Sequence, residues 1–439
     1  MDIRASYDFI IVGGGISGLH CALELRKKYK DCTIALAEKY GKLGGRTFSY
    51  SAPEQFQDVH WEMGAGRIHK DHKLLMELLQ KYKLHWVPIS STSTYFPYGG
   101  SKDLLQDADQ KNIFEDTIIQ TYLQPLENLE QELLEKHTIY DLCIKTFGYK
   151  ETKDVLSTFP YYSEIYKMRA DEALRGFLHH GEMSSQKKYG VLAEGFSALV
   201  QHMEDEAYEK KIILLRHHSL KNITNHTNGG YICNFLYGRP SRIIGSVELH
   251  AKKAVVCALH ADALRHIPCF RPMKALRHVI TQPLLRTYMI FPTPVWFAGL
   301  GKVITNHRLR YIIPIDESKG SIMISYTDGH DTDYYKLVYY KQGEEALGKI
   351  IYDDVCRLFP FFKIPKPLFF KVHMWDTGAT YWKPGHYDVQ SMSDDACNPL
   401  PALKDVYVCG ESFSTKQAWV EGALEHSNTC LQKIFAKVD

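Results

Sequence analysis

The sequence has little that would staple, charge or anchor it. Its 439 residues include ten cysteines (Cys21, Cys32, Cys143, Cys233, Cys257, Cys269, Cys356, Cys397, Cys409 and Cys430), but no two form a CxxC pair and none shows zinc-site spacing to histidine. A zinc site or disulfide framework is therefore not expected, and the cysteines read as buried free thiols of a reducing, cytoplasmic setting. With 53 Lys and Arg against 51 Asp and Glu, the net charge is +2. No global field is available for nucleic acid or an anionic membrane, so charge-dependent recognition has to be local. No apolar run approaches a membrane span, "FIIVGGGISGL" lacks a cleavage-like ending, and the terminal "FAKVD" is not a peroxisomal address. Internal repeats, low-complexity tracts and linkers are also absent. What remains is ordinary globular composition, 45% hydrophobic and 24% charged, in a chain long enough for two or three closely packed domains.

The first informative stretch is "YDFIIVGGGISGLHCALELRKKY". A short β-branched strand, Phe9 to Val12, runs into a glycine turn and then a helix whose apolar positions Ile16, Leu19 and Leu23 recur at helical spacing. Gly13 permits the tight turn, Gly15 lets backbone approach a pyrophosphate, and Gly18 lets helix and strand pack closely. Ile16 and Ser17 open the helix, whose free N–H groups face the phosphates. "CTIALAEK" is a second strand that ends at Glu38 and Lys39. Glu38 lies twenty residues beyond Gly18, where an acidic side chain accepts hydrogen bonds from an adenosine ribose.

"KLGGRTFSY" then sets Gly45 and Arg46 just past the second strand, where a guanidinium can reach a pyrophosphate. Taken together, "GGGISGL", "GGRT" and the C-terminal "VYVCGESFSTKQAWVEGALEHS" resemble the flavin amine oxidase family of monoamine, polyamine and L-amino-acid oxidases. The resemblance covers both ends of the chain, and the middle only in outline. It implies an α/β fold: a Rossmann-like FAD-binding domain of the amine oxidase type, with an interleaved α+β substrate-binding domain. The expected division is 1–68, 186–268 and 371–439 for FAD, and 69–185 and 269–370 for substrate.

The residues permit this layout. Segment 69–185 is rich in helical periodicity ("DHKLLMELLQKY", "LENLEQELLEKH"), and "KKYGVLAEGFSALVQHMEDE" resembles a return to the flavin domain through a glycine turn and helix. "KKAVVCAL" reads as a buried strand. "RTYMIF", "LRYIIPI" and "SIMISY" are strand-like, a helix is expected near "EEALGKIIYDDVCRLF", and Pro360, Pro365 and Pro367 punctuate its end.

The family oxidises a C–N bond by passing a hydride from the substrate carbon to flavin N5, giving an imine and, with oxygen, hydrogen peroxide. The resemblance implies FAD contacts at Gly64, Ala65, Gly66 and Arg67, at Leu220, and at Gly410, Glu411, Trp419, Val420 and Ala423, the last group where a helix amino end caps the ring. It places Trp419 in a cage of two facing aromatic rings, and "WDTGATYWKPG" offers Trp375, Tyr381 or Trp382 as the other, with Tyr381 the choice. Thr377 aligns where monoamine oxidases link flavin through cysteine, so non-covalent FAD is expected. Arg286 aligns where many members carry a lysine facing N5 and, staying protonated, cannot act as a base. It could hold a water or an anion, or pair with a carboxylate.

"GAGRI" resembles the loop of L-amino-acid oxidases in which an arginine grips the substrate carboxylate. The plainer alternative pairs Arg67 with Glu62 or another acid. The leading expectation is therefore oxidation of an L-amino acid, with Arg67, Arg286, Tyr381 and Trp419 at the reacting face. A polyamine or monoamine oxidase, holding a distal ammonium on acids of segment 69–185, is the alternative. An FAD-dependent desaturase or isomerase, or a non-catalytic FAD-binding protein, remains open. Expected partners are an amine or amino acid and molecular oxygen, with no nucleic acid and no membrane, and a homodimer is allowed.

Overall fold

Phe9, Ile10 and Ile11 are fully buried, as a β-branched run covered on both faces requires, and they lie at the centre of the strand Ser6–Val12. In this computed structural model, which describes residues 5–90, 92–105, 114–179 and 188–438, that strand is flanked by parallel neighbours Ile34–Glu38 and Arg242–Cys257. Ile213–Arg216 extends one side, Val406–Val408 pairs with Arg242–Cys257, and the antiparallel strands His218–Asn225 and Tyr231–Arg239 complete a seven-stranded sheet.

The glycine turn behaves as its residues dictate. Gly13 has φ +104°, in the left-handed region. A Cβ on Gly18 would lie 1.9 Å from the Gly13 carbonyl oxygen, so the helix Ile16–Lys28 sits closer to the strand than any side chain allows.

A second sheet of six strands runs in the order Phe369–Trp382, Val279–Ile290, Ser321–Asp328, Tyr311–Asp316, Val303–Ile304 and Thr94–Tyr95. Alternation along Val279–Ile290 sends Leu285 and Met289 into an apolar core with Ile322, Ile324, Leu347, Ile351 and Val355, and turns Arg286 and Tyr288 to the opposite face. The expected helix near 344–359 begins earlier, at His330, and reaches Leu358 with a break at Gly343, φ 88°. The described part of segment 69–185 carries helices where its periodicity predicts them, at Lys73–Lys81 and Gln131–Lys136, and also at Ile139–Phe147, the last opened by a reciprocal Thr138–Asp141 cap, with short strands at Trp86–Pro88 and Thr94–Tyr95.

One boundary differs from expectation. The division at residue 371 falls inside the strand Phe369–Trp382, which pairs with Val279–Ile290 from Phe369 to Trp382. The prolines before it end a helix, but they leave the edge of the second sheet free to pair, so the chain regains the first sheet only at Val406–Val408.

Replacing Gly18 by Ala should lower unfolding free energy by about 1–3 kcal/mol through overpacking, read as a lower urea midpoint at constant slope. An unchanged midpoint would show that helix and strand separate without cost.

Candidate functional site

A cavity of about 1360 Å³ follows the carboxyl ends of the parallel strands and continues to the inner face of the second sheet. Gly13, Gly15, Ile16 and Ser17 line it with Glu38, Lys39, Gly45 and Arg46. Further along come Gly64, Ala65, Gly66 and Arg67, then Leu220, and finally Gly410, Glu411, Trp419, Val420 and Ala423. Arg286 and Tyr381 also reach it. Gly18 does not, because it packs against Gly13 behind the turn.

At the dinucleotide end the chain offers what an extended nucleotide needs. Gly15, the residue before the helix Ile16–Lys28, provides no side-chain cap, and a Cβ there would meet nothing within 4 Å. The amino end of the helix therefore opens its N–H groups to the cavity. Glu38 is oriented by Gly14 N–H at 2.7 Å and Tyr40 N–H at 2.8 Å, with burial raising its pKa and these bonds opposing the shift. These features fit the adenosine and pyrophosphate portions of FAD.

Arg46 is engaged differently from the free cation the sequence suggests. It donates to the Gly378 carbonyl at 3.0 Å and ion-pairs with Glu411 at 2.8 Å. The same Glu411 accepts from Thr380 N–H at 3.1 Å and Ala418 N–H at 2.9 Å. Ala418 has φ 65°, a left-handed conformation unusual for a non-glycine residue, and immediately precedes Trp419.

Arg67 lies among aromatic rings. Its guanidinium carbon is 5.5 Å from the Tyr161 ring, 5.5 Å from Tyr189 and 5.6 Å from Trp419. Among the described residues no carboxylate lies within ion-pair distance of it. Glu62, the simplest partner in sequence, is turned elsewhere: it accepts from Ser49 Oγ at 3.0 Å and from Phe196 N–H at 3.0 Å. Desolvation pushes the Glu62 carboxyl up to about 7.

Arg286 stacks over Tyr326 at 4.8 Å and donates to the Glu62 carbonyl at 3.4 Å, and its buried Nε has no partner among the described residues. Lys302, bound to the Ser90 carbonyl, is pushed down to about 8 by burial and by Arg67. Arg67 and Arg286 thus bring two cationic groups to the inner cavity wall.

Tyr381 donates to Glu164 Oε1 at 3.1 Å, and both line the cavity. Trp419 stacks on Tyr189 at 6.0 Å and meets His72 edge-on at 5.1 Å. Of the other aromatic candidates, Trp375 lines the cavity and donates to the Met63 carbonyl at 2.7 Å, whereas Trp382 is fully buried and donates to the Ser414 carbonyl at 3.0 Å. Thr377 is on the wall, and no described cysteine is. All ten cysteines are free thiols, and no metal-type cluster occurs among the described residues.

A family model for flavin containing amine oxidoreductases matches residues 16–430. The chain belongs to that family. It is an FAD-dependent amine oxidase with the α/β fold its motifs imply. A relative, the uncharacterized protein R188 of Acanthamoeba polyphaga mimivirus, is 23% identical over 500 residues, covering 98% of this chain and 94% of that protein. Two putrescine oxidase structures, the wild type bound to putrescine and an alanine-to-cysteine cofactor-binding redesign, superpose with TM-scores of 0.72 and 0.73. Each is 15% identical and covers 98% of this chain and 99% of its own. Among the described residues, no helix of this amine oxidase is long and apolar enough to cross a membrane.

Sequence reasoning missed Tyr161, Tyr326 and Glu164 on the amine oxidase's inner wall, and Tyr189, whose ring lies 5.5 Å from the Arg67 guanidinium. The dense "FPYYSEIY" was a usable signal, but nothing local distinguishes its rings from the other tyrosines among the 28.

The raised Glu62 pKa has a signed consequence. The folded state holds a proton that the unfolded carboxyl releases near its ordinary value, so this contribution to stability is complete at low pH and is lost as pH rises from about 4.5 through about 7. Denaturation midpoints at pH 5 and pH 8, in saturating FAD, should fall less for Glu62→Gln than for the unaltered protein. An equal fall would remove Glu62 as the source.

Proposed function

We propose that this enzyme oxidises an α-amino acid, with an L-amino acid preferred, and that Arg67 binds the substrate carboxylate. The observation that carries the reading is a guanidinium on the cavity wall, framed by three aromatic rings and without a carboxylate partner among the described residues. A half-buried cation is costly to leave uncompensated, and a planar carboxylate matches its fork of donors. Glycines and the helix amino end at Gly13 to Ser17 would hold the cofactor phosphates, Glu38 would hold the ribose, and the loop Gly64 to Gly66, on the same cavity wall, would hold the flavin. The cofactor is non-covalent, because Thr377 stands where a linking cysteine would.

Bound FAD supplies the two-electron acceptor, and the chain supplies position and field. Arg67 fixes the carboxylate and so determines which face of the α-carbon is presented. The positive field of Arg67 and Arg286 disfavours the substrate's ammonium form and favours the neutral amine from which oxidation proceeds. Tyr381 and Trp419 exclude water on either side. Molecular oxygen would be the final electron acceptor, with hydrogen peroxide the product. Ten free thiols accord with a cytoplasmic setting.

Anaerobic mixing should bleach the flavin with amino acids and not with the corresponding decarboxylated amines. Arg67→Met should lower kcat/KM for amino acids by roughly 2–5 kcal/mol in transition-state terms, with FAD content unchanged. Equal turnover of the decarboxylated amines by both proteins would move the assignment to an amine without a carboxylate. Loss of FAD from the variant would give Arg67 to the cofactor.

A further inference from the structure

Resting on that reading, we infer that the amino acid bound here carries a second anionic group on its side chain, and that Arg286 receives it. Arg286 lines the same cavity as Arg67. A side chain on Gly66 would begin 3.2 Å from Arg286 Nη1, so Arg286 packs against the residue that precedes Arg67. Strand pairing sets Arg286 opposite Tyr326 and Tyr326 opposite Tyr311, which puts the three on one face of the second sheet. The Tyr161 ring lies 6.1 Å from Tyr326 and 6.5 Å from Tyr311, and it also meets the Arg67 guanidinium at 5.5 Å. One cluster of tyrosines therefore carries both cations.

Neither cation is neutralised there. Among the described residues, no carboxylate lies within ion-pair distance of Arg67 or Arg286. Arg286 has the Tyr326 ring at 4.8 Å and one long bond of 3.4 Å to the Glu62 carbonyl, an oxygen it shares with the Tyr288 hydroxyl at 2.7 Å. Its buried Nε has no partner among the described residues, and the Glu62 carboxyl accepts from Ser49 and Phe196 instead. Burial pushes the Tyr326 phenol up and both guanidiniums draw it back, Arg286 the more, so the two charges act on one ring. The carboxylates on the cavity wall are engaged by contrast. Glu411 has Arg46 at 2.8 Å, Glu172 has Arg175 at 2.8 Å and Asp376 has Lys336 at 2.6 Å, while Glu38 accepts from two backbone N–H groups and Glu164 from the Tyr381 hydroxyl.

Two like charges carried by one cluster of rings and removed from water are matched by two anionic groups, and a ligand with a single carboxylate leaves one guanidinium uncompensated. A monoamine or a diamine compensates neither. A neutral amino acid compensates Arg67 alone, and a cationic side chain brings a third positive charge to the pair. An α-amino acid whose side chain ends in a carboxylate satisfies both while its α-amine stays neutral. The matching amide does not, because one neutral oxygen replaces the charged pair that fits the guanidinium fork.

The test uses the FAD-loaded enzyme with two pairs of near-identical shape, aspartate with asparagine and glutamate with glutamine. At least one acid should exceed its amide in kcat/KM by about tenfold or more. Succinate or glutarate, which have no C–N bond to oxidise, should compete with substrate more tightly than butyrate by a similar factor. Arg286→Met should bring both ratios toward one, while Arg286→Lys, which keeps the charge, retains a preference for the acid and controls for misfolding. Amides equal to or better than both acids, or an Arg286→Met variant that loses acid and amide turnover in the same proportion, would overturn the inference. Loss of FAD from Arg286→Met with the acid preference intact would give Arg286 to the cofactor and overturn it as well. Arg67→Met separates this from the reading beneath it: that variant should depress every amino acid while the acid-to-amide ratio persists. If it depresses none, the carboxylate assignment fails even where Arg286 still selects an anion.

Discussion

The buried carboxylate of Glu411 joins parts of the molecule that the chain keeps far apart. It follows the last strand of the first sheet, yet it binds Arg46 from the loop after the second strand, Thr380 from the second sheet and Ala418 from the turn before the last helix. A carboxylate removed from water needs compensation, and here two backbone N–H groups bond Oε1 while the Arg46 guanidinium ion-pairs with Oε2. The requirement holds the two sheets in register at the cavity. It also holds Ala418 in a left-handed conformation, a strain that persists where the surroundings over-determine it, and this positions Trp419 on the wall.

The inner half of the cavity shows the opposite economy of charge. Arg46 is compensated within the protein, whereas Arg67 and Arg286 have aromatic faces and carbonyl oxygens in place of described carboxylates. Cation–π contact lowers the cost of desolvating a guanidinium without neutralising it, so the charge remains available to a ligand. Tyrosine suits this wall because burial keeps its phenol protonated: Tyr161 and Tyr381 are both driven well above the ordinary tyrosine value by desolvation. Both are polarisable neutral walls, and Tyr381 uses its hydroxyl to donate to Glu164.

How far the site could be read from the residues follows the range of the interactions. Gly13, Gly15, Gly18 and Glu38 work through two adjacent strands with one turn and one helix between them, so their pattern was readable over a few tens of residues and the cavity contains the three that face it. Arg67 could be singled out because the small residues before it expose it. Arg46 was singled out too, yet its pairing with a residue 365 positions away in the chain could not be seen. Tyr161, Tyr189 and Glu164 were missed for the same reason, and the misplaced boundary at 371 arose because prolines mark the end of a helix and say nothing about which sheet the next strand joins.

By itself the sequence determined the dinucleotide-binding turn, the succession of strands and helices, and the permanent charge of its arginines, because backbone sterics, side-chain periodicity and the guanidinium pKa are local properties. Only the tertiary structure decided which arginine is paired and which is left for a ligand. Ion pairing is settled within about 4 Å, a distance set by how the two sheets meet. Arg46 comes to rest against Glu411, and Arg67 comes to rest against three rings.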